Sequence, residues 1–315
     1  MGELGRVAFL ASGAFAVPLL EAVAPLTSEI LVVSAPDRPA GRGLGGRAAP
    51  VAARARELGL ALATPARLRS GGGRAALDAF RPDGLLVADY GQLVPDALLA
   101  MARWPPLNVH PSLLPRHRGA APIPGAILAG DDETGVTLMI VTAQLDAGPI
   151  VAQWRLALSG RETAPELAAL LARLAAERVP GELERWAAGE LPATPQDDAR
   201  ATYTRPLRRE DGHIDWAASA EKIDRQARAL QPWPGAWTTL DGRRIHIRRA
   251  HPSTEGLDAP PGSIRLLRRP DEDWQPQVAC GTGSLALEIV QPEGRGPMPA
   301  AAWLRGLRSA GRLGT

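Results

Sequence analysis

An amide and an imidazole two positions apart, Asn108 and His110, followed downstream by the carboxylate of Asp146, could together carry out chemistry on a carbonyl. They stand in Asn108-Val109-His110-Pro111-Ser112-Leu113-Leu114-Pro115 and Leu145-Asp146-Ala147-Gly148-Pro149, each rich in turn-forming residues. An amide donor polarises a carbonyl and stabilises the oxyanion that forms from it, while an imidazole oriented by a carboxylate carries one proton. Side chains two apart on a strand share a face, so Asn108 and His110 are expected side by side at a strand end. Open α/β folds bind ligands outside the C-terminal ends of their parallel strands, which is where this pair would stand. A third polar residue after a neighbouring apolar strand favours a site over a structural histidine beside a buried asparagine.

The elements that must position these groups follow from hydrophobic periodicity. Strands are predicted over 6–11, 29–35, 84–88, 107–110, 136–141 and 149–156, with helices near 17–23, 50–58, 95–101 and 123–129 and a long amphipathic one over 163–186. Strands alternating with helices imply an α/β, Rossmann-like domain on a parallel sheet, assigned to residues 1–188. Residues 189–206 include Pro192, Pro195, Gln196, Asp197 and Asp198, hold no period, and are expected to be a linker. Short strands beyond it imply a small C-terminal β-barrel of the OB type over 207–315.

Composition excludes several classes. At 315 residues and 45% hydrophobic content the chain is long enough for two cores. Cys280 is the only cysteine and the five histidines are scattered, which supports neither a disulfide scaffold nor a zinc framework. Lys222 is the only lysine, a bias that reads as genomic rather than functional, so arginine clusters are more telling than the net charge of +2. The apolar run 7–17 is broken at Ser12-Gly13 and preceded by Glu3, which suits strand, turn and helix better than a signal peptide. No stretch reaches the roughly 20 apolar residues of a membrane span, so a soluble cytoplasmic protein is expected.

Three motifs carry less than they promise. Gly41-Arg42-Gly43-Leu44-Gly45-Gly46 fits a dinucleotide fingerprint in letters, but no strand abuts it directly, and a mobile loop is the better reading. Ser219-Ala220-Glu221-Lys222 fits a serine acylase pattern, yet reads more simply as a helix start. Trp233 and Trp237 suit packing better than base stacking.

With these elements in place, the sequence resembles the methionyl-tRNA formyltransferase family nearly end to end. The resemblance is carried by Ser12-Gly13 with Phe15-Ala16-Val17-Pro18, Pro36-Asp37-Arg38-Pro39-Ala40-Gly41-Arg42-Gly43, Asp89-Tyr90-Gly91-Gln92, Asn108 through Arg116, and Arg118-Gly119-Ala120-Ala121-Pro122-Ile123. Ile214-Asp215-Trp216 and Pro232-Trp233-Pro234-Gly235-Ala236-Trp237 favour the tRNA enzyme among folate-dependent formyltransferases. The resemblance implies formyl transfer from 10-formyltetrahydrofolate to the methionine amine of initiator Met-tRNA, by a monomer using neither metal nor nicotinamide. It implies that Asn108 stabilises the oxyanion, that His110 moves the proton, and that Asp146 fixes the imidazole. Tyr90, Gly91, Ser112, Leu113, Leu114 and Pro115 would line the folate site, and Arg38, Arg42 and Arg47 would meet the tRNA. Asp89 and His117 depart from the family pattern. A formyltransferase acting on a sugar amine or purine precursor is the competing reading. A noncatalytic RNA-binding protein would need a broken catalytic trio, and a Rossmann oxidoreductase would need a glycine fingerprint after the first strand.

Overall fold

Apolar runs without alternation form strands covered on both faces, and the first two, β1 (Arg6–Ala11) and β2 (Glu29–Val33), are buried almost throughout. They belong to a computed structural model that describes residues 4–40, 45–68, 72–268, 274–307 and 311–314. Next come a short hairpin of β3 (Arg38–Ala40) and β4 (Gly45–Arg47), then β5 (Ala61–Ala63), β6 (Gly84–Ala88) and β7 (Leu107–His110). The strands β8 (Arg118–Gly119), β9 (Glu133–Ile140), β10 (Ile150–Ala157) and β11 (Tyr203–Thr204) follow. The chain packs as two units. One comprises Met1–Pro122, Glu133–Ala157 and Ala168–Arg205, and the other Ile123–Asp132, Leu158–Leu167 and Pro206–Thr315.

The sheet of the first unit has seven strands in the order β10-β9-β7-β6-β1-β2-β5. The run from β5 to β7 is parallel throughout. Its helices are α1 (Val17–Val23), α2 (Pro50–Glu57), α3 (Gly72–Phe80) and α4 (Asp96–Leu99). From β1 the chain winds outward through β2 and β5, then returns to β6 on the other side of β1. That reversal makes the C-terminal ends of β1 and β6 a topological switch point, the usual place for a crevice. Ser12-Gly13 and Asp89-Tyr90-Gly91 follow these two ends.

The expected parallel sheet is extended at one edge by two antiparallel strands, β9 pairing antiparallel with β7 and β10 antiparallel with β9. Residues 141–149 alone join β9 to β10, and a parallel pair needs a crossover of about a dozen residues or more. Beyond α5 (Pro122–Ala129), the long α6 (Ala164–Ala187) is tied to the first unit where the Trp186 indole donates to the Pro105 carbonyl at 3.0 Å.

The second unit carries α7 (Ala220–Ala229), an antiparallel sheet and α8 (Ala300–Arg305). Its strands are β12 (Ala236–Leu240), β13 (Arg243–Ser253), β14 (Ile264–Arg268), β15 (Trp274–Ala279), β16 (Ser284–Pro292) and β17 (Met298–Pro299). They run in the order β12-β13-β16-β15-β14, with β17 on β16. Ile223, Ala227, Ile245, Ile247, Leu285, Leu287 and Val290 form its core. The Ser219 hydroxyl accepts from the Lys222 N–H at 3.3 Å, so the serine acylase pattern is a helix cap. Trp237 lies against His213 at 4.7 Å and under the Arg244 guanidinium at 4.0 Å, whereas Trp233, expected to pack as well, is 55% exposed.

Gly84 shows how tightly the sheet under the switch point is packed. A Cβ there would sit 1.5 Å from the Trp104 ring, which is itself buried. Gly84→Ala is therefore expected to lower the unfolding free energy by about 1–3 kcal/mol, read from urea denaturation. An unchanged midpoint would contradict this packing.

Candidate active site

Parallel pairing with β6 and antiparallel pairing with β9 fix β7 from both sides, with Asn108 opposite Val87 and Met139 and His110 opposite Thr137. Asn108 is half-buried, and its amide makes no side-chain hydrogen bond among the described residues. His110 is 5% exposed and stands between two acceptors. Its Nε2 lies 3.0 Å from the His117 carbonyl and its Nδ1 lies 3.7 Å from an Asp146 carboxylate oxygen. A carbonyl can only accept, so the ring proton belongs on Nε2 and the Nδ1 lone pair faces Asp146. Burial lowers the His110 pKa below the ordinary imidazole value, against the upward pull of the Asp146 carboxylate and the His117 carbonyl. The imidazole is thus neutral at pH 7, the form that takes up a proton.

Asp146 reaches this position by an indirect route. Since β9 is antiparallel to β7, it ends opposite Leu107 rather than opposite His110, and the loop after it must fold back toward the histidine. Asp146 adopts a left-handed conformation with φ 51°. At Gly148 a Cβ would lie 1.9 Å from the Ile140 carbonyl, so only glycine allows the loop this close to β9. The other Asp146 oxygen accepts from the Gly119 N–H at 2.8 Å. His117 is also left-handed, with φ 57°. Both protein partners of His110 therefore sit on strained backbone.

The segment expected as a linker is bound to these loops. The Gln196 amide donates to the carbonyls of Asp146 and Gly148 at 2.9 and 2.7 Å, and its oxygen accepts from the buried Arg118 guanidinium at 3.0 and 2.8 Å. Arg118 also meets Asp198 at 2.7 Å and the Tyr203 hydroxyl at 3.2 Å, and β11 pairs parallel with β8. Neither Gln196 nor Arg118 was singled out from the sequence as a site residue. The quoted Arg118-Gly119 step carried the only signal.

The predicted folate-lining residues divide by burial. Ser112 and Leu114 are buried, and the Ser112 hydroxyl donates to the Arg116 carbonyl at 2.7 Å. Thr137 and Gln153 pin this loop: the Thr137 hydroxyl donates to the Ser112 carbonyl at 2.6 Å and Gln153 donates to the Leu114 carbonyl at 2.8 Å. Leu113 and Pro115 are half-buried and Gly91 is exposed. Tyr90 packs in the core with Leu85, Val87 and Leu98, where burial pushes its phenol up to about 12. Of the predicted tRNA-contacting arginines, Arg47 is exposed and pairs in register with Arg38, whereas Arg42 lies outside the described residues. The expected loop is thus flanked by a short hairpin.

Asp89 occupies the switch point. Its carbonyl accepts from the Ser12 and Gly13 N–H groups at 3.1 and 3.2 Å, and its backbone is left-handed with φ 47°. Its carboxylate packs on Gly13, where a Cβ would sit 1.6 Å away. Although the residue stays open to solvent on one side, loss of hydration pushes its carboxyl up to about 6.

Comparison with known proteins bears on this geometry. A family model described as formyl transferase matches residues 5–181, and one described as formyl transferase, C-terminal domain, matches residues 206–308. The chain is 44% identical over 314 residues to methionyl-tRNA formyltransferase from Roseiflexus sp. (strain RS-1), covering 98% of this chain and 95% of the relative. It is 46% identical over 303 residues to methionyl-tRNA formyltransferase from Gluconacetobacter diazotrophicus, covering 96% of each. Among solved structures, HypX from Aquifex aeolicus in complex with tetrahydrofolic acid aligns with TM-score 0.65 at 19% identity, covering 95% of this chain and 46% of that one. WlaRD, a sugar 3N-formyl transferase, aligns with TM-score 0.65 at 14% identity, covering 93% and 100%. These two share the fold.

The Asp89 carboxyl gives a signed stability test. Its folded pKa lies above the ordinary 3.8, so its contribution is most favourable below that value and is lost as pH rises through about 6. Asp89→Asn is therefore expected to raise the melting temperature at pH 8, with the gain shrinking steadily toward pH 4. A gain that is flat with pH would show that the carboxyl is not desolvated.

Proposed function

The chain belongs to the formyl transferase family and, within it, to the methionyl-tRNA formyltransferases, and from that premise we propose that Asn108, His110 and Asp146 carry the transfer. The reaction moves a formyl group from 10-formyltetrahydrofolate to the α-amino group of methionine on initiator Met-tRNA. The observation that carries the assignment is a buried imidazole facing a carboxylate, beside an uncommitted amide on one strand.

The folate supplies an activated formyl carbon. The Asn108 amide N–H groups donate to the formyl oxygen, an interaction that strengthens as negative charge builds on it. The methionine amine attacks in its neutral form, which is accessible because α-amino groups titrate near about 8. As the new C–N bond forms, Nδ1 of His110 takes the proton from the attacking nitrogen. As the old bond to N10 breaks, the same nitrogen returns the proton to the leaving amine, so no net charge is left on the enzyme. Asp146 stabilises the imidazolium while the proton is held, and the His117 carbonyl keeps the ring oriented throughout.

Gly91, Leu113 and Pro115, the more open of the predicted lining residues, contact the folate, while Tyr90, Ser112 and Leu114 shape the wall behind them. The arginines at 38, 42 and 47 supply positive charge to the tRNA backbone. The first unit, which runs on through Arg205 and so includes the segment expected as a linker, is the catalytic domain, and the unit that includes Pro206–Thr315 is the tRNA-contacting domain of a cytoplasmic monomer. Among the described residues no helix is long and apolar enough to cross a membrane.

Asn108→Ala is expected to lower kcat by about 10²–10³-fold with a stable fold, measured with 10-formyltetrahydrofolate and charged initiator tRNA. Near-native turnover would remove Asn108 from the oxyanion role. The same assay with charged elongator tRNA is expected to show far weaker formylation. Equal rates on both would remove the initiator assignment.

A further inference from the structure

We propose that the segment 196–204 is a positioning strap for the proton-transferring pair, with Gln196 holding the Asp146 carboxylate against His110. The inference rests on the roles given above to His110 and Asp146. Every hydrogen-bonding position of the Gln196 amide is used. Its two N–H groups reach the Asp146 and Gly148 carbonyls, and its oxygen takes two N–H groups from Arg118. A side chain so fully committed fixes whatever it bonds, and here it bonds both ends of the turn that presents Asp146.

The rest of the strap acts on the other partner of the imidazole. The Thr202 hydroxyl accepts from the His117 N–H at 2.8 Å, and the Thr202 carbonyl accepts from the Arg118 N–H at 2.9 Å. The Thr204 hydroxyl donates to the Arg118 carbonyl at 3.1 Å and accepts from the Ala121 N–H at 3.1 Å. These bonds set residues 117–121, which offer the His117 carbonyl to Nε2 of His110 and the Gly119 N–H to Asp146. At Gly119 a Cβ would lie 2.2 Å from the Thr204 carbonyl, so the strap and this loop meet backbone to backbone. Thr202, Tyr203 and Asp198 are themselves exposed. The segment is therefore held by directed polar bonds aimed at the two loops that flank His110.

Gln196→Glu separates positioning from folding. The glutamate still accepts from Arg118, but it sets a carboxylate oxygen against the Asp146 and Gly148 carbonyls in place of two donors. Assayed on the full chain with both substrates, this variant is expected to lose roughly 10–100-fold in kcat, with KM for either substrate within about threefold of native. In an Asp146→Asn background the same substitution is expected to cost almost nothing further, because its effect passes through that carboxylate. A loss that multiplies with that of Asp146→Asn, or a native kcat in Gln196→Glu, overturns the proposal while leaving the role of Asp146 intact. Native activity in Asp146→Asn alone overturns the role of Asp146, and the strap's catalytic purpose with it. Should Gln196→Glu melt well below the native protein, Gln196→Asn takes its place in the cycle. It keeps the amide but is one methylene too short to span, and the same outcomes decide.

Discussion

A buried imidazole with an acceptor at each nitrogen is the constraint around which the first unit is organised. Neutral His110 can donate to only one of them, and the His117 carbonyl at 3.0 Å takes that bond. One added proton satisfies the second acceptor, Asp146, at 3.7 Å. At an effective dielectric of about 20, a charge pair at that separation is worth roughly 4 kcal/mol, of the same order as the several kcal/mol lost by burying the ion. Near balance of these opposing effects leaves the ring able both to accept and to release a proton. A drier site without the carboxylate would hold the ring neutral, and a wetter one would leave it poorly oriented.

Placing both acceptors requires backbone that no regular element supplies. The antiparallel turn of β9 carries the Asp146 loop away from His110, and a left-handed residue followed by a packed glycine brings it back. His117 is left-handed for the same reason, since it must aim a carbonyl at the ring. Conformations of this kind cost of order 1–3 kcal/mol each and persist only where their surroundings over-determine them. Arg118, Gln196, Thr202 and Thr204 supply that restraint on one side, and Thr137 and Gln153 hold the adjoining loop on the other.

What the sequence made legible was whatever depends on local period and residue type. Asn108 and His110 could be placed together because side chains on a strand repeat every two residues, and β1 and β6 were visible as uninterrupted apolar runs. Ser219 announced a helix start by its own chemistry. The direction of β9 was hidden, because an apolar run looks the same in a parallel or an antiparallel neighbour. The strand β5 was hidden because Ala61-Leu62-Ala63 is short and has no β-branched residue. Gln196 was hidden for a deeper reason. Its stretch of proline, aspartate and glutamine has the composition of a solvated linker, and its role comes from bonds to residues 48 and 50 positions earlier in the chain.

The switch point between β1 and β6 extends the same logic to a second titratable group. The Asp89 carbonyl receives the N–H groups of both Ser12 and Gly13, so this residue closes the crevice between the two central strands. That closure forces a left-handed backbone and turns the carboxylate onto Gly13, where it loses hydration and rises to about 6. An asparagine in place of Asp89 would keep the left-handed backbone closure without burying a charge, so the carboxylate is a cost that the closure itself does not require. Like the Asp146 loop, the crevice is thus held by backbone contacts that tolerate only glycine on one side. In both places the chemistry of the side chain is set by where the main chain has been made to turn.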